Sequence, residues 1–200
     1  MGLSIQGNDY GAQGAFAWGG FTGILGAALG ANSEIFQFRW VSPSVLAVVR
    51  RVRISACVST TFFAAGVPVQ VDMAKATAWS AQGTGGTGVS MGTTAKRRTL
   101  LASSVLGDND MRIATTAALG AGTKTLEANS LSTLAVTGPT AGDGTIIPPG
   151  PAIWEAHVGS GELPLILGTN EGFVIRSVAV PATGTWTASV RVEWAEVASY

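Results

Sequence analysis

The chain has 200 residues, twelve of them Lys or Arg and twelve Asp or Glu, so its formal net charge is zero. Charged residues make up 12%, about half the roughly 25% of an ordinary soluble domain, which excludes the basic surplus that draws a protein to nucleic acid or an anionic membrane. A 46% apolar content excludes a solvated disordered polymer, while the single cysteine (Cys57) and single histidine (His157) exclude an internal disulfide and a cysteine metal cluster.

The chain opens with a Gly/Ala-rich stretch. Ala15–Ala31 runs 17 residues without a charge but contains five glycines, against the about 20 apolar residues a spanning helix needs. The first basic residue is Arg39, so no positive region precedes the apolar one as in a signal peptide. The expectation is an extended arm over residues 1–32, able to approach neighbouring subunits closely because glycine backbone is unobstructed. Phe16, Trp18, Phe21, Ile24 and Leu25 are its candidate partner contacts, with Trp18 as the anchor, since buried tryptophans dominate interface energetics.

From Ser33 the texture becomes that of strands. Phe36, Phe38 and Trp40 share one face against Gln37 and Arg39 until Pro43 breaks the ladder. Over Val45–Val58, the apolar Val52, Ile54, Ala56 and Val58 alternate with Arg51, Arg53, Ser55 and Cys57. Arg50 falls on the apolar parity, so either a bulge intervenes there or the strand begins after it. Val67, Val69, Val71 and Met73 repeat the alternation and lead to Trp79; Gln82–Thr94, rich in Gly, Thr and Ser, reads as a long loop.

Leu100–Leu106 and Leu126–Leu134 fit a short helix or a strand equally, and Met111 and Ile113 mark a short strand after the Gly107-Asp108-Asn109 turn. Gly138–Pro151, with four prolines and four glycines, is irregular, and beyond it Trp154 and Glu155 face opposite ways. Phe173–Val180 is apolar on both faces and reads as a buried strand. Pro181–Gly184 is a connection of hairpin length leading into Trp186–Trp194, which alternates strictly. Strands separated by Gly/Pro loops, without alternating helices, predict an all-β, antiparallel sandwich or jelly-roll over residues 33–200, after the arm.

Few patterns carry chemistry. Gly83-x-Gly85-x-x-Gly88 matches the dinucleotide fingerprint by letter, but Val89–Ala95 does not read as the helix whose N-terminus receives a pyrophosphate. Asp108 and Asp110 suit turn capping better than calcium, which needs six to eight oxygens. Glu193 and Glu196 stand three apart on a strand and point to opposite faces, so they do not form an acid–base pair. Cys57 reads as a packing residue and His157 as an outward one. Of two basic clusters, Arg50-Arg51-x-Arg53 suits solvated charge or pairing between subunits, and Lys96, Arg97 and Arg98 are candidate partner contacts after a loop. No catalytic residue, metal ligand or cofactor is expected.

The two ends of the chain are familiar. Ser4-Ile5-Gln6-Gly7, the phrase from Glu162 to Leu167 with Asn170-Glu171-Gly172-Phe173, and the closing Trp194–Tyr200 resemble small β-rich virion proteins of tailed bacteriophages, the head decoration, cement and minor capsid proteins. The resemblance covers the last 40 residues or so and the first few. It implies a non-enzymatic β-sandwich, a trimer by preference, seated on the outer surface of the capsid with the major capsid protein as partner. It implies neither specific nucleic acid nor a membrane. The alternative is a receptor- or carbohydrate-binding β-domain of a tail or spike, whose long loops would carry recognition.

Overall fold

A computed structural model describes residues 14–26, 29–63, 68–91, 96–97, 103–137, 145–147, 152–156, 163–179 and 183–198, with the backbone alone at 96–97, 136–137 and 145–147. Its elements are strands: β1 (Gly14–Phe21), β2 (Leu25–Gly26), β3 (Ser33–Trp40), β4 (Leu46–Val58), β5 (Pro68–Ala81), β6 (Thr87–Gly88), β7 (Lys96–Arg97) and β8 (Met111–Ile113). The remainder are β9 (Thr123–Leu126), β10 (Ser132–Thr137), β11 (Thr145–Ile147), β12 (Ala152–Glu155), β13 (Leu165–Leu167), β14 (Glu171–Ala179) and β15 (Thr185–Val197). They build two antiparallel sheets packed face to face, as the alternating patterns predict.

Sheet A runs β11-β4-β15-β1-β7, with β12 and β13 also pairing β4 and β2 pairing β15; sheet B runs β10-β5-β14-β3-β8-β6, with β9 pairing β5. The inner faces meet in an aromatic seam. From sheet A come Phe16, Trp18 and Trp194; from sheet B come Phe36, Phe38 and Phe173. Trp18 stacks on Phe36 with centroids 5.6 Å apart, Phe38 stacks on Phe173 at 5.2 Å, and Trp194 meets Phe38 edge-on at 5.5 Å. Such pairs contribute about 0.5–1.5 kcal/mol beyond their buried area and fix the mutual orientation of the rings.

Of the two alternatives at Arg50, a bulge or a strand that begins after it, the structure has the bulge, within β4. Glu193 pairs Arg51 while Trp194 pairs Val49, so Arg50 is the extra residue opposite that step. Its insertion resets the parity: Ala47 and Val49 face inward before it, Val52 and Ile54 after it, all essentially buried. Val174, on the outer face of β14, is as buried as Phe173 and Ile175 on the inner one, which matches its two apolar faces.

Several expectations are corrected. The arm is, over its described residues, part of the sandwich: β1 pairs β15 through all eight residues from Gly14↔Glu196 to Phe21↔Ser189. Its inner positions, Phe16 and Trp18, are large apolar groups whose burial outweighs the entropy lost by ordering glycine-rich backbone. Trp79 does not continue the inner face of β5. Ala78 adopts a positive φ of 49°, which breaks the alternation and turns Trp79 onto the outer cluster with Ala74, Ala76 and Val174. There its ring lies over Gly172, where an added Cβ would come within 2.8 Å of ring carbons.

A third concerns the 181–184 connection. Because β14 belongs to sheet B and β15 to sheet A, it is an arch between sheets rather than a hairpin. Turn length is the same for both; the two strands' apolar faces select the arch by facing each other across the core. Gly184 holds φ 101° and leaves room for Phe63, whose ring an added Cβ would strike. Gln82–Met91 is likewise no free loop: Val89 and Met91 are buried, and Val89 N donates to Met111 O at 2.9 Å. Residues 103–126 show no helix element, with 100–102 outside the described residues, and Leu126 and Leu134 lie on strands; the 138–151 stretch is not irregular throughout, since Thr145–Ile147 forms β11 paired to β4.

Candidate interaction surface

The predicted partner contacts divide by strand parity. Phe16, Trp18 and Leu25 are core residues and are unavailable to a partner, whereas Phe21 is 78% exposed and Ile24 46%. The last inward position of this run is Thr22, whose Oγ1 accepts from Ala188 N at 2.9 Å while its own N donates to Ala188 O at 2.8 Å, closing the ladder. Lys96 and Arg97 form the backbone of β7 against Ala17 and Phe16, and Arg98 lies outside the described residues.

Sequence reasoning missed a third apolar group. Phe62, 43% exposed, comes after Thr61, whose carbonyl accepts from Thr185 N at 2.9 Å. On the opposite flank of β15, Leu25 pairs Trp186 and Phe21 pairs Ser189. Phe21, Ile24 and Phe62 therefore lie towards the same end of sheet A, the one at which β15 begins, with Phe21 and Ile24 on one flank of β15 and Phe62 on the other. Only the pairing of distant segments could reveal this.

The outer face of sheet A is ordered in rows. One row runs Glu155, Arg51, Glu193, Ala17 across β12, β4, β15 and β1, and the next runs Ala152, Arg53, Arg191, Gly19. The third places Ser55 beside Ser189 and Phe21, and the fourth Cys57 beside Thr187. Arg51 pairs with Glu155, and Arg191 Nε donates to Glu193 Oε1 at 3.0 Å. Ser55 and Ser189 share a hydrogen bond of 2.6 Å. At the first row a polar cavity of about 250 Å³ opens beside the Arg50 bulge, lined by Arg50, Arg51, Glu155, Ala156 and Glu193.

The remaining candidates are structural. Asp110 Oδ2 accepts from Gly107 N at 3.0 Å and caps that turn, whereas Asp108 Oδ1 accepts from Met91 N at 2.8 Å and ties the turn to a distant segment instead of capping it. Burial raises the Asp110 carboxyl above its ordinary range, against the opposing pull of Arg39 and the Gly107 amide. The glycine motif feeds extended chain at Val89, and its Gly85 carbonyl accepts from Arg112 Nη2 at 2.6 Å. Cys57 is not the packing residue expected: it falls on the outward parity of β4 and is exposed, with Thr187 Oγ1 at 3.4 Å from its sulfur. Among the described residues no group of three His, Cys, Asp or Glu is placed to hold a metal ion; His157 lies outside them.

Glu193 and Glu196 do point to opposite faces. Glu196 is fully buried, its Oε1 accepting from Ser104 Oγ at 2.5 Å and Trp194 Nε1 at 3.2 Å, its Oε2 from Val105 N at 3.1 Å. Burial pushes its carboxyl up despite these donors. A carboxyl raised on folding binds more protons in the native state, so stability falls as pH rises from the ordinary glutamate range through the raised value. The difference in unfolding free energy between the native chain and Glu196→Gln is therefore expected to grow in the native chain's favour as pH is lowered through that window. Urea titrations at a series of pH values check it, and a difference independent of pH contradicts it.

Among the described residues no helix is long and apolar enough to cross a membrane. Compared with known proteins, the chain matches no family model, no curated protein and no solved structure.

Proposed function

We propose that this chain is a non-enzymatic structural protein of a viral particle, a β-sandwich that seats on assembled neighbours through one end of sheet A and stabilises them. The observation that carries the reading is the exposure of Phe21, Ile24 and Phe62, three large apolar side chains towards one end of sheet A. Exposed apolar groups gathered in one place are the usual mark of an interface. With 12% of residues charged and no net charge, the surface offers little electrostatic opposition to docking. The resemblance of the chain's ends to phage virion proteins directs the reading to a tailed-phage head, with the major capsid protein as neighbour and a trimer as the seated unit. Binding only the assembled shell would stabilise it by mass action, and many copies would multiply a modest contact.

The double variant Phe21→Ser/Ile24→Ser is expected to melt like the native chain, because exposed substitutions change stability by about 0.5 kcal/mol or less. Its co-sedimentation with purified shells lacking the protein is expected to fall at least about tenfold. Undiminished co-sedimentation overturns the reading.

The polar cavity beside Arg50 favours a second reading, a glycan-recognition domain of a tail or spike. Its alternating guanidinium and carboxylate groups offer both donors and acceptors to hydroxyls. A glycan array separates the two.

A further inference from the structure

The second row of the outer face sets Arg53 directly opposite Arg191 on neighbouring strands. Directly opposed side chains stand about 4.5–5.5 Å apart at Cβ, and like charges there are destabilising. Arg191 leans towards Glu193 yet its side chain remains 55% exposed. The Arg53 Nε is buried and makes no hydrogen bond among the described residues. Small residues flank the pair, Ala152 beside Arg53 and Gly19 beside Arg191. An added Cβ at Gly19 would be in ordinary contact with Arg191 Cβ at 4.0 Å, so Gly19 sits beside Arg191 with no side chain of its own there.

Charge is also unevenly placed. Counting the cavity lining and these rows together, Arg50, Arg51, Arg53 and Arg191 stand against Glu155 and Glu193, four cations to two anions in a chain that is neutral overall. The excess cations lie next to the Ser55–Ser189 hydroxyls, and Phe21 occupies the diagonal position from Arg191. Planar guanidiniums with adjacent hydroxyl donors match the fork geometry of carboxylates.

We infer that this face binds an acidic segment of a partner protein, with Arg53 and Arg191 clamping its carboxylates and Phe21 covering apolar surface beside them. The inference rests on the proposed docking role and deepens it by giving the partner's chemistry. A second copy presenting the same face is disfavoured, because it brings the same surplus of positive charge.

The test uses an N-acetylated hexaglutamate amide as probe, monitored by nuclear magnetic resonance at the arginine Nε–H groups and the Gly19 amide. Saturable shifts are expected at those positions. Binding is expected to weaken at least about tenfold in Arg191→Gln and further in Arg53→Gln/Arg191→Gln, and to weaken with added salt. Arg53→Gln relieves the like-charge opposition and is expected to melt no lower than the native chain, whereas Arg191→Gln also loses its hydrogen bond to the buried Glu193 and is expected to melt lower; binding is therefore compared at a temperature at which the melting curves show every variant folded, which keeps loss of binding distinct from loss of fold. Hexalysine binding as well as hexaglutamate overturns the inference, as does the absence of saturable shifts. Oligothymidylate binding tenfold tighter than hexaglutamate overturns it in favour of a phosphate polymer, and a change in sedimentation of the protein alone on mutating the arginines overturns it in favour of self-association. Failure of hexaglutamate with retained dependence of shell binding on Phe21 and Ile24 rejects this inference and leaves the docking role standing.

Discussion

Replacing Trp18 by alanine is expected to destabilise the fold by about 3–5 kcal/mol, the cost of emptying a large aromatic site in a packed core. Trp18 is 8% exposed and stacked on Phe36, so it is one of the side chains that join the two sheets. For a 200-residue chain each kcal/mol moves the melting temperature by about 2–4 °C, so a fall of roughly 10 °C is the readout in calorimetry. A partner anchor behaves oppositely: its loss leaves the melt unchanged and removes binding. Trp18→Ala melting like the native chain returns the residue to an interface role and contradicts a core position for β1. Deleting residues 1–32 is correspondingly no test of an arm, because it removes the eight-residue ladder between β1 and β15.

Asp72→Ala carries the second large effect. Asp72 lies directly opposite Arg176 across β5 and β14, is 2% exposed, and takes Arg176 Nε on Oδ1 at 2.9 Å while Arg176 Nη2 and Ser130 Oγ reach Oδ2. The hydrogen bond to Asp72, outweighing the opposing effect of burial, holds the Arg176 guanidinium above its ordinary range. Removing the carboxylate strands a cation whose side chain is only 17% exposed. The expected loss is about 3 kcal/mol, the lower end for a broken buried pair because Arg176 keeps some water. Replacing both residues by apolar ones of similar volume is expected to recover most of that loss. Urea unfolding of the two singles and the double gives the coupling; additive losses mean that the pair is not an energetic unit.

The range over which each force acts explains which of these features the residues disclose locally. The inner faces of β3, β4, β14 and β15 are legible because alternation is a property of adjacent residues, and even the Arg50 bulge shows as a parity error within one strand. β1 is not legible as a strand. Its outward positions are Gly19, alanine and Phe21 rather than charged residues, so no polar counterpoint marks the alternation of Phe16 and Trp18. Trp79 is misplaced by parity alone because one left-handed residue, Ala78, reverses the facing of the residue after it. The Arg53–Arg191 opposition joins residues from the first and last quarters of the sandwich, and nothing local to either predicts the other.

What the sequence determined alone was the class of fold and the direction that β3, β4, β14 and β15 face, since both rest on local periodicity and on the cost of burying polar groups. The tertiary structure decided which strands share a sheet, that the connection before β15 is an arch, and that Phe16, Trp18 and Leu25 belong to the core. Those outcomes depend on contacts between segments far apart in the chain, where shape and volume across the seam select one pairing from many that the local pattern allows equally.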